Sequence, residues 1–301
     1  MTRQEPIARL YAVKPEGAVA LSTPSGATDV HELFDSFALG IYEGLSTYEH
    51  TKFLHLERHF ERAERSMEML GWDHLLDRQA LRRALHQACA EWPLPEARVR
   101  FDVLAEAPPG VGSRVLLAFS PQPSMKTGEG GEAGPRSVFE QGVRVDVAQG
   151  KRRERPRIKL AQWVLDRRGT GPGDRGFFEH VLIDEEGRIL EGSSSNVFGV
   201  RAGGLVTAGS GILEGLMRRM FLELADELAI PVVLEATALE DVGALDEAFL
   251  TSSTRPGVPI VEIAGRRVGV GKPGPLLRKL RAAFEELARR EARPPLPRQN
   301  R

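Results

Sequence analysis

One lysine in this sequence combines a nucleophilic amine with apolar neighbours. Lys159 stands between Ile158 and Leu160, which fits an inward-facing position. A lysine amine condenses with an aldehyde only in its neutral form, and a partly buried site favours that form by lowering the pKa. The same lysine also ends a basic run, 151–159, and most such runs are solvated surfaces or, less often, nucleic-acid patches. The run alone favours a surface, so the evidence for chemistry must come from other segments.

Those segments offer a carboxylate and donors for an anion. Glu191 follows a predicted strand and precedes the small polar residues 192–196 (GSSSN), which could wrap a ligand. Gly215 opens a predicted amphipathic helix, and the free N–H groups at a helix start form an anion site. The residues 251–254 (TSST) add hydroxyls near a strand end, and Arg62 adds a cation from the first long helix. Taken singly, each feature is equally typical of an ordinary turn, helix start or surface arginine.

Taken in order, the segments resemble one family. The strings 59–62 (HFER), 157–159 (RIK), 189–198 (ILEGSSSNVF), 212–216 (ILEGL) and 251–254 resemble the class IV aminotransferases, the fold type IV family of pyridoxal phosphate enzymes. The resemblance covers roughly residues 30–285. It implies a small N-terminal α/β domain, a larger β-rich C-terminal domain, and a homodimer. It also implies that the chain moves an amino group between a small amino acid, branched-chain-like or D, and a 2-oxo acid.

The resemblance assigns roles to particular residues. Lys159 would carry pyridoxal 5'-phosphate as a Schiff base and move the catalytic proton, and Glu191 would keep the ring nitrogen protonated. The remaining cofactor-binding residues, which would contact the phosphate, are Arg62, Gly215, Leu216, Met217 and Ser253. The residues that would line the substrate pocket are Tyr42, Arg100, Thr254 and Arg255.

Departures from the family pattern keep other interpretations open. The tyrosine that branched-chain enzymes carry five residues after the lysine is Val164 here, while Gln162 resembles the D-amino acid and lyase branches. Glu214 replaces the usual proline before Gly215, and Met217 replaces a common threonine. Aminodeoxychorismate lyase is therefore the alternative activity. A non-catalytic protein on the same scaffold, or a binder that uses the basic run, is a third interpretation.

Composition excludes several other classes of protein. The 301 residues carry a net charge of −1, which gives no bias toward nucleic acid or an anionic membrane. The one cysteine, Cys89, allows no internal disulfide and suits a reducing compartment, where it would be a packed thiol. No apolar stretch approaches the roughly 18 residues of a membrane span, so we expect a cytoplasmic protein. His55 and His59 share a helix face without an apparent third ligand, so no metal site is expected.

The patterns predict an α+β fold in two domains, because strands cluster while helices are segregated. We place a small domain at 1–120, a Gly- and Pro-rich linker at 121–135, a large cofactor-binding domain at 136–292 and a flexible tail at 293–301. Helices are predicted at 56–70, 76–92, 216–228 and 276–288. Strands are predicted at 98–104, 114–120, 137–147, 248–251 and 258–263, with hairpins over 181–190 and 196–207.

Overall fold

The computed structural model describes residues 8–23, 29–34, 37, 40–122, 135–170 and 176–297. The chain forms two compact units. Unit 1 contains Met1–Pro123, Ile158–Val164 and Ala288–Arg301, and unit 2 contains Ser124–Arg157 and Leu165–Leu287. No helix in the described ranges is long and apolar enough to cross a membrane.

Unit 1 is built on a five-stranded antiparallel sheet. Its strands are β1 (Arg9–Lys14), β2 (Gly17–Leu21), β3 (Ile41–Ser46), β4 (Ala97–Val103) and β5 (Val115–Pro121), in the order β2-β1-β5-β4-β3. The segment after Arg157 also reaches this sheet, since Ile41 forms a bridge with Leu160. Lys159 is therefore held next to the edge strand β3.

Two helices cover unit 1, α1 (Leu56–Met69) and α2 (Arg78–Glu91). In α1 the buried residues Phe60, Ala63 and Met67 recur at helical spacing, so one face packs on the core while the other meets solvent. The helix α2 begins after Asp77, whose side chain accepts a hydrogen bond from the amide of Ala80 at 2.8 Å. Both predicted helices are confirmed.

Unit 2 is built on a nine-stranded mixed sheet with helices α3 (Pro135–Gln141) and α5 (Leu216–Glu227). Its strands are β6 (Val143–Val147), β7 (Glu179–Ile183), β8 (Ile189–Gly192), β9 (Asn196–Arg201), β10 (Gly204–Val206), β11 (Val232–Val233), β12 (Glu247–Ser252), β13 (Arg255–Ile263) and β14 (Arg266–Arg267). The sheet order is β11-β10-β9-β12-β13-β6-β7-β8, and β14 pairs with β13. Both predicted hairpins are confirmed as antiparallel pairs, β7 with β8 and β9 with β10.

Two helices run across the division of the units, α4 (Gln162–Asp166) and α6 (Pro275–Glu291). The helix predicted at 276–288 corresponds to α6. The short helix α4, which begins three residues after Lys159, was not predicted, because five residues carry too little periodicity to indicate a helix.

One predicted element is wrong. The segment 137–147 was expected to be a single strand, but it begins as the end of α3 and becomes β6 only at Val143. Gly142 separates the two elements with a φ of 76°, and its amide donates to the carbonyl of Val138. The apolar pair Val138 and Phe139 packs on the unit 2 core from the helix, and so short an apolar run does not distinguish helix from strand.

The predicted domain bounds remain a prediction, and the two units differ from them in two places. Residues 158–164 and 288–292 belong to unit 1, although the predicted large domain includes both segments. Arg293, the first residue of the predicted flexible tail, exchanges two backbone hydrogen bonds with Phe53. Residues 123–134 of the linker and 298–301 of the tail lie outside the described residues.

Candidate active site

Lys159 is half-buried against the ring of Tyr42. Its Nζ lies 4.5 Å from the ring centroid, and its carbonyl accepts a hydrogen bond from the amide of Tyr42 at 3.0 Å. The amide of Ala161 donates to the carbonyl of Gly40, the residue before β3, at 2.8 Å. Backbone hydrogen bonds therefore hold the segment 159–161 along the start of β3. The amine is thus placed by backbone hydrogen bonds and by a cation–π contact.

Arg62 is buried in α1 and is ion-paired with Glu43 of β3. Its Nε donates to Oε1 of Glu43 at 2.8 Å and its Nη2 to Oε2 at 2.6 Å, while Nδ1 of His59 lies 2.7 Å from the same Oε2. Burial alone would raise the pKa of Glu43, but the charge and hydrogen bonds of Arg62 and the hydrogen bond of His59 outweigh it and lower that pKa to about 2. Burial lowers the pKa of His59, despite the opposing effect of Glu43. Two donors of the predicted phosphate ligand Arg62 are therefore engaged by a carboxylate.

Arg100 of β4 is also buried, at 2% exposure, and its guanidinium is enclosed on several sides. Its Nε and Nη2 each donate to an oxygen of Asp102 at 2.6 Å, and its Cζ lies 4.3 Å and 4.6 Å from the ring centroids of Phe34 and Tyr42. Its Nη1 lies 2.7 Å from Nδ1 of His31. The ring of Tyr42 therefore contacts both Lys159 and Arg100, so three predicted site residues lie together.

His31 links Arg100 to a second arginine. Nη2 of Arg98 lies 2.8 Å from Nε2 of His31, and Nη1 of the same arginine donates to Asp29 at 2.6 Å. A neutral imidazole accepts a hydrogen bond at only one ring nitrogen, and arginine can only donate. In either neutral tautomer, therefore, only one of the two arginine contacts of His31 is a hydrogen bond.

In unit 2, Glu191 is 2% exposed and held by three donors. Its Oε1 accepts from Nε of Arg153 at 2.9 Å. Its Oε2 accepts from the amide of Leu213 at 3.1 Å and from Nδ2 of Asn196 at 3.4 Å. Hydrogen bonds to a carboxylate favour its ionised form, so Glu191 is suited to face a protonated ring nitrogen.

The N-terminus of α5 lies close to that carboxylate. Gly215 precedes the helix, no side chain caps it, and the amides of Leu216 and Met217 belong to its first turn, where helical N–H groups lack intrahelical partners. A Cβ on Gly215 would lie 2.0 Å from Oδ1 of Asn196, so a larger residue here would have to displace the Asn196 side chain. Asn196 also donates to the carbonyl of Leu213 at 2.8 Å, and so connects this helix start to Glu191.

The predicted hydroxyl loop is the two-residue turn between β12 and β13. Ser253 and Thr254 form the turn and are half-buried. Just before them, the hydroxyl oxygens of Thr251 and Ser252 are buried and have no hydrogen-bond partner within the described part of the chain. Buried hydroxyls without partners, together with a helix N-terminus, suit an oxyanion such as phosphate.

Arg255 follows this turn and is anchored within unit 2. Its Nη2 donates to Oγ of Ser194 at 2.7 Å, its Nη1 lies 3.4 Å from Oε2 of Glu179, and its Cζ lies 5.2 Å from the ring centroid of Phe178. Glu179 is fully buried and also accepts from the hydroxyls of Ser194 and Ser195. Burial lowers the pKa of Arg255. The predicted substrate ligand Arg255 thus also fixes the serine-rich loop after Glu191.

Several buried polar residues in these networks were not predicted as site residues, namely Glu43, His59, Asp102, Arg153, Glu179 and Asn196. Asn196 is the first residue of β9 and stands in the string 189–198 that carries the family resemblance, so its position was visible in the sequence. Glu43 and Asp102 lie within the buried strands β3 and β4, and nothing in their neighbouring residues indicates a polar partner. Within the described residues, no cluster of histidine, cysteine, aspartate and glutamate could hold a metal ion.

These features define a class of protein. In unit 1, a half-buried lysine amine suits the aldehyde of pyridoxal phosphate. In unit 2, a buried carboxylate that accepts from three donors suits its ring nitrogen, and a helix N-terminus and unpartnered hydroxyls suit its phosphate. The mixed helix and strand architecture is that of fold type IV enzymes. Comparison with known proteins then identifies the family.

Residues 40–263 match the sequence pattern of the family described as Amino-transferase class IV, which is more than half of the chain. The branched-chain-amino-acid aminotransferase of Pseudomonas aeruginosa is 25% identical over 273 residues, 83% of this chain and 84% of that protein. The D-alanine aminotransferase of Bacillus licheniformis is 33% identical over 110 residues, 36% of this chain and 38% of that protein.

Solved structures are similar over nearly the whole chain. A putative branched-chain amino acid aminotransferase from Thermotoga maritima superposes with a TM-score of 0.72 at 25% identity, covering 93% of this chain and 95% of that one. The T.th. branched-chain amino acid aminotransferase with pyridoxamine 5'-phosphate superposes with a TM-score of 0.77 at 20% identity, covering 97% of this chain and 100% of that one. At this identity the second likeness shows the fold.

The chain belongs to the class IV aminotransferase family. This confirms the predicted family, the fold class and a pyridoxal phosphate-dependent transaminase whose substrates are an amino acid and a 2-oxo acid. The relatives from Pseudomonas aeruginosa and Bacillus licheniformis are both aminotransferases, which favours amino group transfer over the lyase alternative. The roles assigned to individual residues remain predictions.

Proposed function

We propose that this chain transfers the amino group of a small, branched-chain-type amino acid to a 2-oxo acid, with Lys159 as the catalytic amine. The observation that supports the role of Lys159 most strongly is its half-buried Nζ against Tyr42, held in place by backbone hydrogen bonds to the neighbouring strand. The choice of substrate follows the branched-chain relative from Pseudomonas aeruginosa, whose likeness spans 83% of the chain. The D-alanine relative matches over 36%, so a small D-amino acid is the second candidate substrate.

Several of the donors described above would hold the cofactor. The amides of Leu216 and Met217, next to Gly215, and the hydroxyl of Ser253 would bind its phosphate. Arg62 would add positive charge while keeping its ion pair with Glu43. When bound, pyridoxal 5'-phosphate supplies an aldehyde for amines and a ring that accepts the electron pair left by the Cα–H bond.

The chain itself moves and holds protons. The incoming amino acid would release the amine of Lys159. That amine would then take the proton from the substrate Cα and return it to the cofactor carbon that carried the aldehyde. Glu191 would hold a proton at the ring nitrogen, because its ionised form is favoured by three donors. Tyr42, with its ring against the lysine, would limit the access of water to the amine.

The substrate would be bound by residues of mixed character. Tyr42 and Arg100 offer an aromatic face and an enclosed cation, while Thr254 and Arg255 offer donors beside the β12–β13 turn. Arg100 and Arg255 each already bind a carboxylate of the chain, Asp102 and Glu179 respectively. Their positive charge is therefore partly neutralised, which suits a small apolar side chain better than an acidic one.

A panel of amino acids tests this proposal. The purified enzyme is mixed with L- and D-forms of leucine, valine, alanine and glutamate, and the loss of the visible absorbance of the bound cofactor is followed for each. We expect the fastest change with the L-branched-chain members, and none in Lys159→Ala. Exposed Lys279 provides the matched control, since Lys279→Ala should behave as the unchanged protein. Turnover by Lys159→Ala, or equal rates for all amino acids, would contradict the proposal.

We also propose that the chain works as a homodimer in the cytoplasm. The dimer is supported by the family resemblance, and the compartment by a sequence with one cysteine that is buried as a thiol. Native mass measurement should give twice the chain mass of 33.1 kDa. A mass of one chain at assay concentration would exclude the dimer.

A further inference from the structure

The basic run 151–159 contains a buried cation beside an exposed one. The side chain of Arg153 is 7% exposed, while that of its neighbour Arg152 is 82% exposed and lies 3.6 Å from Glu185, which is 90% exposed. As a sequence the run indicates a solvated surface, which is where Arg152 lies. Arg153 instead points inward and pairs with Glu191, so it has a role that its neighbour does not share.

The contact between Arg153 and Glu191 complements the other contacts of the carboxylate. Arg153 donates from Nε to Oε1 at 2.9 Å, whereas Leu213 and Asn196 donate to Oε2 at 3.1 Å and 3.4 Å. Each carboxylate oxygen is thereby fixed from its own side. Of the three donors, Arg153 is the charged one, and Leu213 and Asn196 are neutral.

We propose that Arg153 is the positioning residue of Glu191. It fixes the orientation of the carboxylate and keeps it ionised, so that Glu191 can hold the proton of the cofactor ring nitrogen. This inference rests on the proposed function, in which Glu191 faces that nitrogen. Arg153 itself touches neither substrate nor cofactor in the proposal and acts through the carboxylate.

The physical need for such a residue follows from burial. A carboxylate that is 2% exposed loses its hydration, which favours the neutral acid unless a cation or strong donors compensate. A neutral acid at this position could not stabilise a protonated ring nitrogen. A second cation, Arg218 of α5, also interacts with Glu191 electrostatically, but its Nη2 donates to the carbonyl of Ala208. Among the described residues, Arg153 therefore supplies a direct charged contact to Glu191 that Arg218 does not.

The type of side chain matters as well as its charge. The guanidinium is planar and its donors have fixed directions, so an Nε contact sets the plane in which the carboxylate oxygen lies. A lysine at this position would keep the charge but would not fix that direction. The inference therefore predicts that Arg153→Lys recovers only part of what Arg153→Gln loses.

The test compares Arg153→Gln, Arg153→Lys and the control Arg152→Gln in the holoenzyme. For Arg153→Gln we expect kcat to fall about ten- to a hundredfold, the range set by one lost hydrogen bond to a charged group, with a smaller change in KM. The primary kinetic isotope effect with substrate deuterated at Cα should rise, because removal of that proton becomes slower. Arg153→Lys should lie in between, and Arg152→Gln should match the unchanged protein. Without substrate, the pH titration of the visible absorbance of the bound cofactor should also shift in Arg153→Gln, because Glu191 then holds the ring-nitrogen proton less firmly, and an unshifted titration would overturn the inference.

A double-mutant cycle separates positioning from a general structural role. If Arg153 acts through Glu191, then Arg153→Gln should cause little further loss in a Glu191→Gln protein, since the carboxylate it positions is gone. Losses that simply multiply would overturn the inference, and so would an unchanged kcat and isotope effect in Arg153→Gln. Should Arg153→Gln fail to fold, Arg153→Lys carries the test, and a Lys variant equal to the unchanged protein in kcat and isotope effect overturns the inference.

The inference and the proposed function fail in different ways. Borohydride reduction of the unchanged holoenzyme followed by peptide mapping shows whether Lys159 carries the cofactor. A label on Lys159 together with normal kinetics in Arg153→Gln would overturn only the role of Arg153. A holoenzyme in which Lys159 is unlabelled would overturn the proposed function instead.

Discussion

Replacing Glu43 by glutamine should destabilise unit 1 by an amount that depends on pH. Glu43 is the buried partner of both Arg62 and His59, and its folded pKa is lowered from 4.5 to about 2. A difference of this size corresponds to about 3 kcal/mol of folding free energy at neutral pH. Breaking a buried ion pair by removing one partner costs about 3–5 kcal/mol, which is of the same size.

The sign of the pH dependence follows from the lowered pKa. A carboxylate whose pKa is lower in the folded state stabilises the protein fully above its unfolded pKa, here 4.5, and loses this effect as pH falls toward about 2. The part of the stability gap between the unchanged protein and Glu43→Gln that comes from the titration of Glu43 itself should therefore be constant between about pH 7 and about pH 5.5. At about pH 3.5 it should be smaller by about 1 kcal/mol.

Tryptophan fluorescence during urea unfolding of cofactor-free protein is the suitable assay. All three tryptophans, Trp72, Trp92 and Trp163, belong to unit 1, so the signal reports on the unit that contains Glu43. Glu68 lies exposed on the same helix as Arg62, and Glu68→Gln should change the free energy of unfolding by less than about 0.5 kcal/mol. A loss below about 1 kcal/mol in Glu43→Gln, or a loss that does not shrink at about pH 3.5, would refute the reasoning.

Three further predictions concern the other parts of the site and core. Gly215→Ala should weaken cofactor binding about tenfold or more, because the new Cβ displaces Asn196. A fluorescence titration with the cofactor measures this. The control Gly243→Ala, whose Cβ meets open space, should bind the cofactor normally. Cys89, whose pKa burial raises to about 12, should not react with a thiol reagent until urea unfolds the protein; reaction in the folded state would contradict its burial. Tyr42→Leu should lower the free energy of unfolding of unit 1 by about 1–3 kcal/mol, because two cation–π contacts are lost. Tyr42→Phe keeps the ring face and should lower it by less than half as much. Urea unfolding followed by tryptophan fluorescence measures both.

Elements with a strong local period were predictable from the sequence. The helix α5 was predicted within one residue because its apolar residues recur at helical spacing and a glycine precedes it. The hairpins around Glu191 were predictable because short apolar runs flank obvious turns. Local patterns thus located the segment that holds the carboxylate.

Contacts between distant segments were not predictable in the same way. The pairing of Glu43 with Arg62 joins a strand to a helix, and nothing in either segment alone indicates it. The burial of Arg153 contradicts the average behaviour of a basic run, since the residue next to it is almost fully exposed. Such positions are set by tertiary packing, which a single sequence does not display.

The central claim is that one amine, that of Lys159, holds the cofactor and moves the catalytic proton. The most direct measurement is borohydride reduction of the yellow holoenzyme, followed by proteolysis and mass spectrometry of the peptides. Our account predicts a single peptide that carries the added mass of the reduced cofactor, with the modification on Lys159 and the visible absorbance lost in parallel. A modification on any other lysine, or an unmodified Lys159 in protein that contains the cofactor, would contradict it.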